Sequence, residues 1–107
     1  MDIAYAYEKL SDTVNTLSTK SGNSQEKLKE AMIFGFCRID ESDMPSELVN
    51  YYKSIYDRLT QTDPLKDEGR FHASIDSMSE QERLLLINDI KELEKKMKFI
   101  WNKKVRY

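Results

Sequence analysis

A chain of 107 residues with one cysteine, one histidine and three isolated glycines cannot form an intramolecular disulfide, a Cys/His zinc site or a glycine-rich phosphate loop. Charged residues make up 34% of the chain, and they leave no apolar stretch of about 18 residues that would predict a membrane span. The first residues also lack a basic and apolar signal sequence. We therefore expect a soluble, cytoplasmic protein that forms a single domain over residues 1–107.

The first half of the chain predicts two helices. A helix is expected over residues 3–18, and its inner face repeats at spacings of three and four, with Ile3, Tyr7, Leu10, Val14 and Leu17. A second helix is expected over residues 25–38 and is apolar nearly all round, which predicts a central element or one that partly faces a partner. Gly35 lies inside it, where we expect another helix to cross closely.

The second half predicts three more helices. One is expected over residues 45–61, beginning at Pro45, and a short one over residues 71–77. Ser79 and Glu82 form a capping-box pattern that starts the longest helix, over residues 80–102, which should extend about two turns beyond the bundle. The predicted fold is thus all-α, a small bundle of four main helices plus one short helix, with a long C-terminal helix.

Charge is unevenly distributed along the chain. The last thirteen residues contain six of the seventeen bases and no acid, whereas residues 1–94 carry eleven bases and nineteen acids, a net charge of −8. A cationic helix end that also carries aromatic residues indicates a binding surface. The candidate partner-binding residues are Lys95, Lys96, Lys98, Phe99, Ile100, Trp101, Lys103, Lys104, Arg106 and Tyr107.

This basic tail has three interpretations. It is a solvated helix end stabilised by the helix dipole, a surface that binds an acidic protein or a second copy of the chain, or a surface that binds nucleic acid. The acidic remainder of the chain would repel nucleic acid, which favours a protein partner, and Trp101 is then expected to contribute more than any single lysine. A secondary interface is predicted from apolar and tyrosine residues on the second and third helices: Ile33, Phe34, Tyr51 and Tyr56.

Residues suited to catalysis are few. His72 has no second histidine or cysteine with which to share a metal, and we expect it to be partly exposed on the short helix. Cys37 lies among apolar residues and is expected to be a small buried side chain. The acids at 40–43 lack the glycine and the glutamate of a calcium loop. We therefore predict no enzymatic activity, catalytic residue, metal, cofactor or small-molecule substrate.

These observations together predict a function in binding. We expect a non-enzymatic protein-interaction or regulatory subunit that binds itself or a larger protein, of the kind found among small bacterial or phage accessory, inhibitor and immunity-type proteins. The alternative is a nucleic-acid-binding accessory protein that uses the basic, aromatic tail.

Overall fold

The computed structural model describes residues 2–63 and 69–105, and within these ranges the chain is an all-α bundle without strands, as the sequence predicted. Three short 3₁₀ turns, at Phe36–Arg38, Glu41–Asp43 and Ser46–Leu48, connect the second helix to the third. The helices are α1 (Ile3–Thr19), α2 (Ser24–Phe34), α3 (Val49–Leu59), α4 (Gly69–Ser77) and α5 (Glu80–Val105).

The core lies where α5 packs against α1, α2 and α3, while α4 packs against α2 and α3. In α1 the buried face differs in detail from the prediction. Ala6 and Thr13 are fully buried, whereas Tyr7 and Val14 lie at the edge of the core. The other helices, together with the 3₁₀ turn that contains Phe36, bury further apolar residues, including Leu28, Met32, Phe36, Ile55, Leu59, Ile75, Leu86, Ile90, Leu93 and Met97.

Side chains accept hydrogen bonds from backbone amides at the starts of three helices. At α1, the Asp2 carboxylate accepts from the Tyr5 amide over 2.9 Å. The Asn23 carboxamide oxygen accepts a hydrogen bond from the Glu26 amide over 2.9 Å, which starts α2. At α5, the Ser79 hydroxyl accepts from the Glu82 amide over 3.2 Å, and the Glu82 carboxylate accepts from the Ser79 amide over 2.9 Å. The capping box predicted at the start of the longest helix is therefore confirmed.

Gly35 ends α2 earlier than predicted and brings α1 close. The α-helix stops at Phe34 instead of residue 38, and the chain continues as a 3₁₀ turn. A Cβ atom at Gly35 would lie 2.1 Å from Thr13 Oγ1 and 2.7 Å from the carbonyl oxygen of Lys9. Only glycine fits at this distance, so the close helix crossing expected at Gly35 is present.

The segment from Asp40 to Leu48 covers one end of the bundle. It is not the start of a helix over 45–61, because α3 begins at Val49 and Pro45 caps a separate 3₁₀ turn. The Asp2 amide donates to the Asp43 carboxylate over 3.2 Å, so the segment contacts the start of α1. It contacts α5 as well.

The last helix extends less far beyond the bundle than predicted, because the 40–48 segment packs against it. Met97 is fully buried and Ile100 packs against the core, while Asn102 and Lys103 are exposed. Within the described residues α5 therefore extends past the core by about one turn, not two. No helix in those same ranges is both long and apolar enough to cross a membrane.

Candidate functional site

The C-terminal part of α5 presents an exposed phenylalanine surrounded by lysines. Phe99 is 62% exposed. Lys95, Lys96 and Lys103 lie four and three residues before it and four residues after it, so all three share its side of the helix. The Lys103 ammonium group lies 4.7 Å from the centre of the Phe99 ring. Lys95, Lys96, Phe99, Ile100 and Lys103 are called the Phe99 face below.

A shallow cavity of about 420 Å³ lies beside this face, between α5 and the 3₁₀ turn at Ser46–Leu48. Leu48 and Ile100 contribute apolar side chains to it, and Glu47 contributes the one acid among its described lining residues. An apolar recess next to an exposed aromatic ring and several ammonium groups is suited to a protein surface that carries both acids and apolar side chains.

Two of the lysines have partners within the chain. The Lys95 ammonium lies 3.4 Å from the Glu92 carboxylate, and the Lys96 ammonium lies 5.7 Å from the centre of the Tyr51 ring. Burial, followed by the charges of Asp89 and Glu92, raises the pKa of the Tyr51 hydroxyl. Tyr51, predicted as part of a secondary interface, thus lies beside the Phe99 face.

Trp101 is half-buried against α1. Its ring centre lies 6.2 Å from that of Tyr7, at a tilt of 35°. Part of the ring area that was predicted to bind a partner is therefore used inside the protein, because the start of α1 reaches the end of α5. Among the aromatic residues of the described tail, Phe99 is the one that offers most of its ring to a partner.

A second surface is a groove between the end of α2, α3 and α4. It consists of two cavities, of about 700 Å³ and about 320 Å³, which share Cys37 and Phe71 in their linings. Tyr56, 42% exposed, lies on the α3 side, and Ile33, 48% exposed, lies on the α2 side. The aromatic groove, as it is called below, is lined by Ile33, Cys37, Tyr52, Tyr56 and Phe71, with charged residues at its ends.

Aromatic rings pack against one another along and beneath this groove. The Tyr56 and Phe71 rings meet edge to face with centres 5.8 Å apart, and the Tyr52 ring lies 6.0 Å from Tyr56. The buried Phe36 ring stacks on Tyr52 at 5.3 Å. Neighbouring rings restrict one another's motion, and side chains that are restricted before binding lose less entropy when a ligand enters.

Charges differ between the two ends of the groove. Asp40, Glu41 and Asp57 line the larger cavity together with one base, Lys53, whose ammonium lies 3.9 Å from Glu41. Hydrogen bonds from the Ser42 hydroxyl and amide lower the pKa of Asp40. The smaller cavity is lined instead by Arg70 and His72.

Cys37 is exposed in this groove, and the prediction that it is buried is wrong. Its thiol lies 3.5 Å from the carbonyl oxygen of Ile33, and both residues face away from the helices that cover α2. His72 is half-buried, as expected, and lines the same smaller cavity. In residues 2–63 and 69–105 no group of three His, Cys, Asp or Glu side chains is arranged to hold a metal.

The structure thus divides the predicted binding residues between two surfaces. Lys98 is exposed but belongs to another side of α5 than Phe99. The predicted secondary interface separates, with Tyr51 beside the Phe99 face and Ile33 and Tyr56 in the aromatic groove. Outside the described part of the chain lie the side chains of Phe34 and Lys104 and the whole of Arg106 and Tyr107.

Several surface residues were not predicted from the sequence. Leu84 and Leu85 are both more than half exposed at the other end of α5, and Phe71 lines the aromatic groove. Their apolar character is visible in the sequence, but the run from Leu84 to Leu86 contains one buried and two exposed leucines. The repeat that Leu86 shares with Ile90 and Leu93 places it on the inner side of α5 and leaves Leu84 and Leu85 outside it.

The hydroxyl of Tyr52 provides a pH-dependent contribution to stability. It donates a hydrogen bond to the Ile39 carbonyl oxygen over 3.0 Å in a buried setting. Burial, followed by the charges of Tyr56 and Asp40, raises the pKa of Tyr52 well above the ordinary value of 10.0. The neutral hydroxyl therefore stabilises the fold below pH 10.0, and this contribution is lost as the pH rises through the folded-state pKa.

We expect Tyr52→Phe to lower the free energy of unfolding by about 1 kcal/mol at neutral pH, because the Ile39 carbonyl loses its donor. The difference from the wild type should shrink above pH 10.0, since phenylalanine has no group to ionise. Urea unfolding of both proteins between neutral and strongly alkaline pH measures this. A difference that stays constant over the whole range would contradict the assignment.

Comparison with protein-family models, with curated proteins and with solved structures finds no match to this chain. Its function must therefore be inferred from the two surfaces.

Proposed function

We propose that this chain is a non-enzymatic protein-interaction or regulatory subunit that uses the Phe99 face to bind a protein surface. One observation supports this most strongly: a phenylalanine that is 62% exposed lies on the same helix face as three lysines. An aromatic anchor with charges around it is typical of the residues that dominate protein interfaces. The partner surface would offer an apolar recess for Phe99 and carboxylates for the lysines.

The local charges favour protein over nucleic acid as the partner. Lys95 contacts Glu92, and Glu47 borders the adjacent cavity, so acids lie at the edges of the Phe99 face. Residues 1–94 together carry a net charge of −8. Phosphate groups would be repelled by these acids, whereas a protein surface of mixed charge would not.

The single cysteine, which has no partner for a disulfide within the chain, supports a cytoplasmic location as part of the proposal.

The proposal is tested by placing a photo-cross-linking amino acid at Phe99 in cells that produce the protein. We expect a cross-linked protein partner, identified by mass spectrometry. The matched control carries the same group at Leu84, which is 55% exposed on the same helix and lies about 22 Å away along its axis. The control should yield no such product.

Affinity for the identified partner gives a quantitative prediction. Phe99→Ala should weaken binding at least about tenfold, because buried aromatic anchors contribute most of an interface's free energy. Leu84→Ala should leave the affinity unchanged. Lys103→Glu should weaken binding more than Lys98→Glu, since the two variants change the charge equally but only Lys103 lies on the Phe99 face.

A nucleic-acid function would give a different result. Affinity for single-stranded or double-stranded nucleic acid would fall steeply with salt, and Lys98→Glu would weaken it as much as Lys103→Glu. Micromolar binding of that kind at physiological salt, without any protein cross-linked at Phe99, would overturn the proposal.

A further inference from the structure

We infer that the aromatic groove receives the Phe99 face of a second copy of this chain, so that two copies form a reciprocal dimer. This inference rests on the proposed function of the Phe99 face and names its partner. It assigns a role to the exposed side chains of Ile33 and Tyr56 and to the half-buried Phe71, which the proposed function leaves unused.

Both surfaces carry aromatic rings beside charged side chains. Phe99 projects from α5 with most of its ring exposed. The groove offers a preformed recess whose larger cavity, about 700 Å³, is lined by the rings of Tyr52, Tyr56 and Phe71. An aromatic side chain that enters it would join this cluster of rings, and aromatic pairs are stabilised in offset-stacked or edge-to-face arrangements.

The charges are complementary too. The larger cavity is bordered by Asp40, Glu41 and Asp57 with Lys53 as the one base among its described lining residues. The Phe99 face carries three lysines on the same side of α5 as the ring. Seating Phe99 in the larger cavity would bring the lysines close to these carboxylates. The opposite orientation would bring the lysines toward Arg70 and His72 of the smaller cavity, which disfavours it.

The Phe99 face and the aromatic groove adjoin the same parts of the fold. Both adjoin α3, with Tyr51 on the side of the Phe99 face and Tyr56 on the side of the groove. Both also border the 40–48 segment, through Glu41 at the groove and Glu47 beside the Phe99 face. In the inferred dimer each copy donates its Phe99 face and accepts that of its partner about a two-fold axis, which closes the assembly.

Sedimentation equilibrium tests the dimer. We expect the wild type to dimerise with a Kd of micromolar order, as is usual for an interface of modest area. Phe99→Ala should raise the Kd at least about tenfold. Cys37→Arg should do the same, because it fills the junction of the two cavities and places a positive charge against the incoming lysines. Leu84→Ala should dimerise like the wild type.

Mixing the two disrupted variants distinguishes this contact from others. Phe99→Ala retains an intact groove and Cys37→Arg retains an intact Phe99 face, so their mixture can form one of the two contacts. We expect a heterodimer that neither variant forms alone. A symmetric contact between two Phe99 faces would not be restored by mixing.

The only cysteine of the chain allows the inferred dimer to be cross-linked by a disulfide. Asn102 is exposed and lies on the side of α5 that carries Phe99. Mild oxidation of Asn102→Cys should form a disulfide between Cys37 of one copy and the introduced cysteine of the other, identified by peptide mapping. Leu84→Cys, the control, should not form the corresponding bond.

The outcomes separate the inference from the proposed function. If the wild type stays monomeric at about 50 μM, while the cross-linker at Phe99 captures a different protein, the inference fails and the proposed function stands. The inference also fails if Phe99→Ala abolishes the dimer but Cys37→Arg does not. If the cross-linker at Phe99 captures no protein and Phe99→Ala leaves association unchanged, both fail.

Discussion

Replacing Phe36 with alanine is expected to lower the free energy of unfolding by about 3–5 kcal/mol. Phe36 is fully buried, and its ring centre lies 5.3 Å from that of Tyr52 and 6.3 Å from that of Phe71. The variant would lose this buried area and leave a cavity beneath the aromatic groove. A chain of this size has a total stability of about 5–15 kcal/mol, so the loss should bring it close to unfolding.

Urea denaturation followed by circular dichroism measures this effect. Phe99→Ala is the matched control, because the same substitution at a side chain that is 62% exposed should cost less than about 1 kcal/mol. If the two variants lost equal stability, the burial of Phe36 and the exposure of Phe99 would both be in question.

The second large effect is expected at Gly35. Gly35→Ala places a methyl group within 2.7 Å of the Lys9 carbonyl oxygen and closer still to Thr13 Oγ1. Because a backbone atom is among the contacts, α1 must shift away from α2, and we expect a loss of about 1–3 kcal/mol or more. Thermal unfolding measures it, with Cys37→Ala as a control at the exposed turn that follows.

A double variant identifies the contact responsible. In a Thr13→Ala background, Gly35→Ala should cost less than in the wild type, because the nearest clashing atom has been removed. The Lys9 carbonyl remains, so the rescue should be partial. Additive effects of the two substitutions would show that α1 does not approach Gly35 this closely.

The sequence predicted the parts of the fold that depend on local pattern. Leu86, Ile90, Leu93 and Met97 repeat at spacings of three and four, and all four are buried because one side of a helix is apolar and the other is charged. The capping box at Ser79 and Glu82 was equally predictable, since both of its hydrogen bonds join residues three apart.

Features that depend on which helices are neighbours were less predictable. The second helix was predicted to be apolar nearly all round, but α2 carries polar residues over 25–30 except at Leu28. Periodicity also could not show that α1, α4 and α5 leave the side of Ile33 and Cys37 uncovered. In the same way, the sequence marks the whole tail as a candidate site. That Phe99 faces outward while Trp101 packs on Tyr7 depends on the position of α1 along α5.

The packing of α1 against α5 also affects when the protein can fold during its synthesis. These helices are the first and the last of the described chain, and each covers much of the other's apolar face. A ribosome releases α1 long before α5 is complete, so residues such as Leu10 stay exposed to water until the final helix emerges. The core should therefore close late, after synthesis of α5, and nascent chains would depend on protection from aggregation until then.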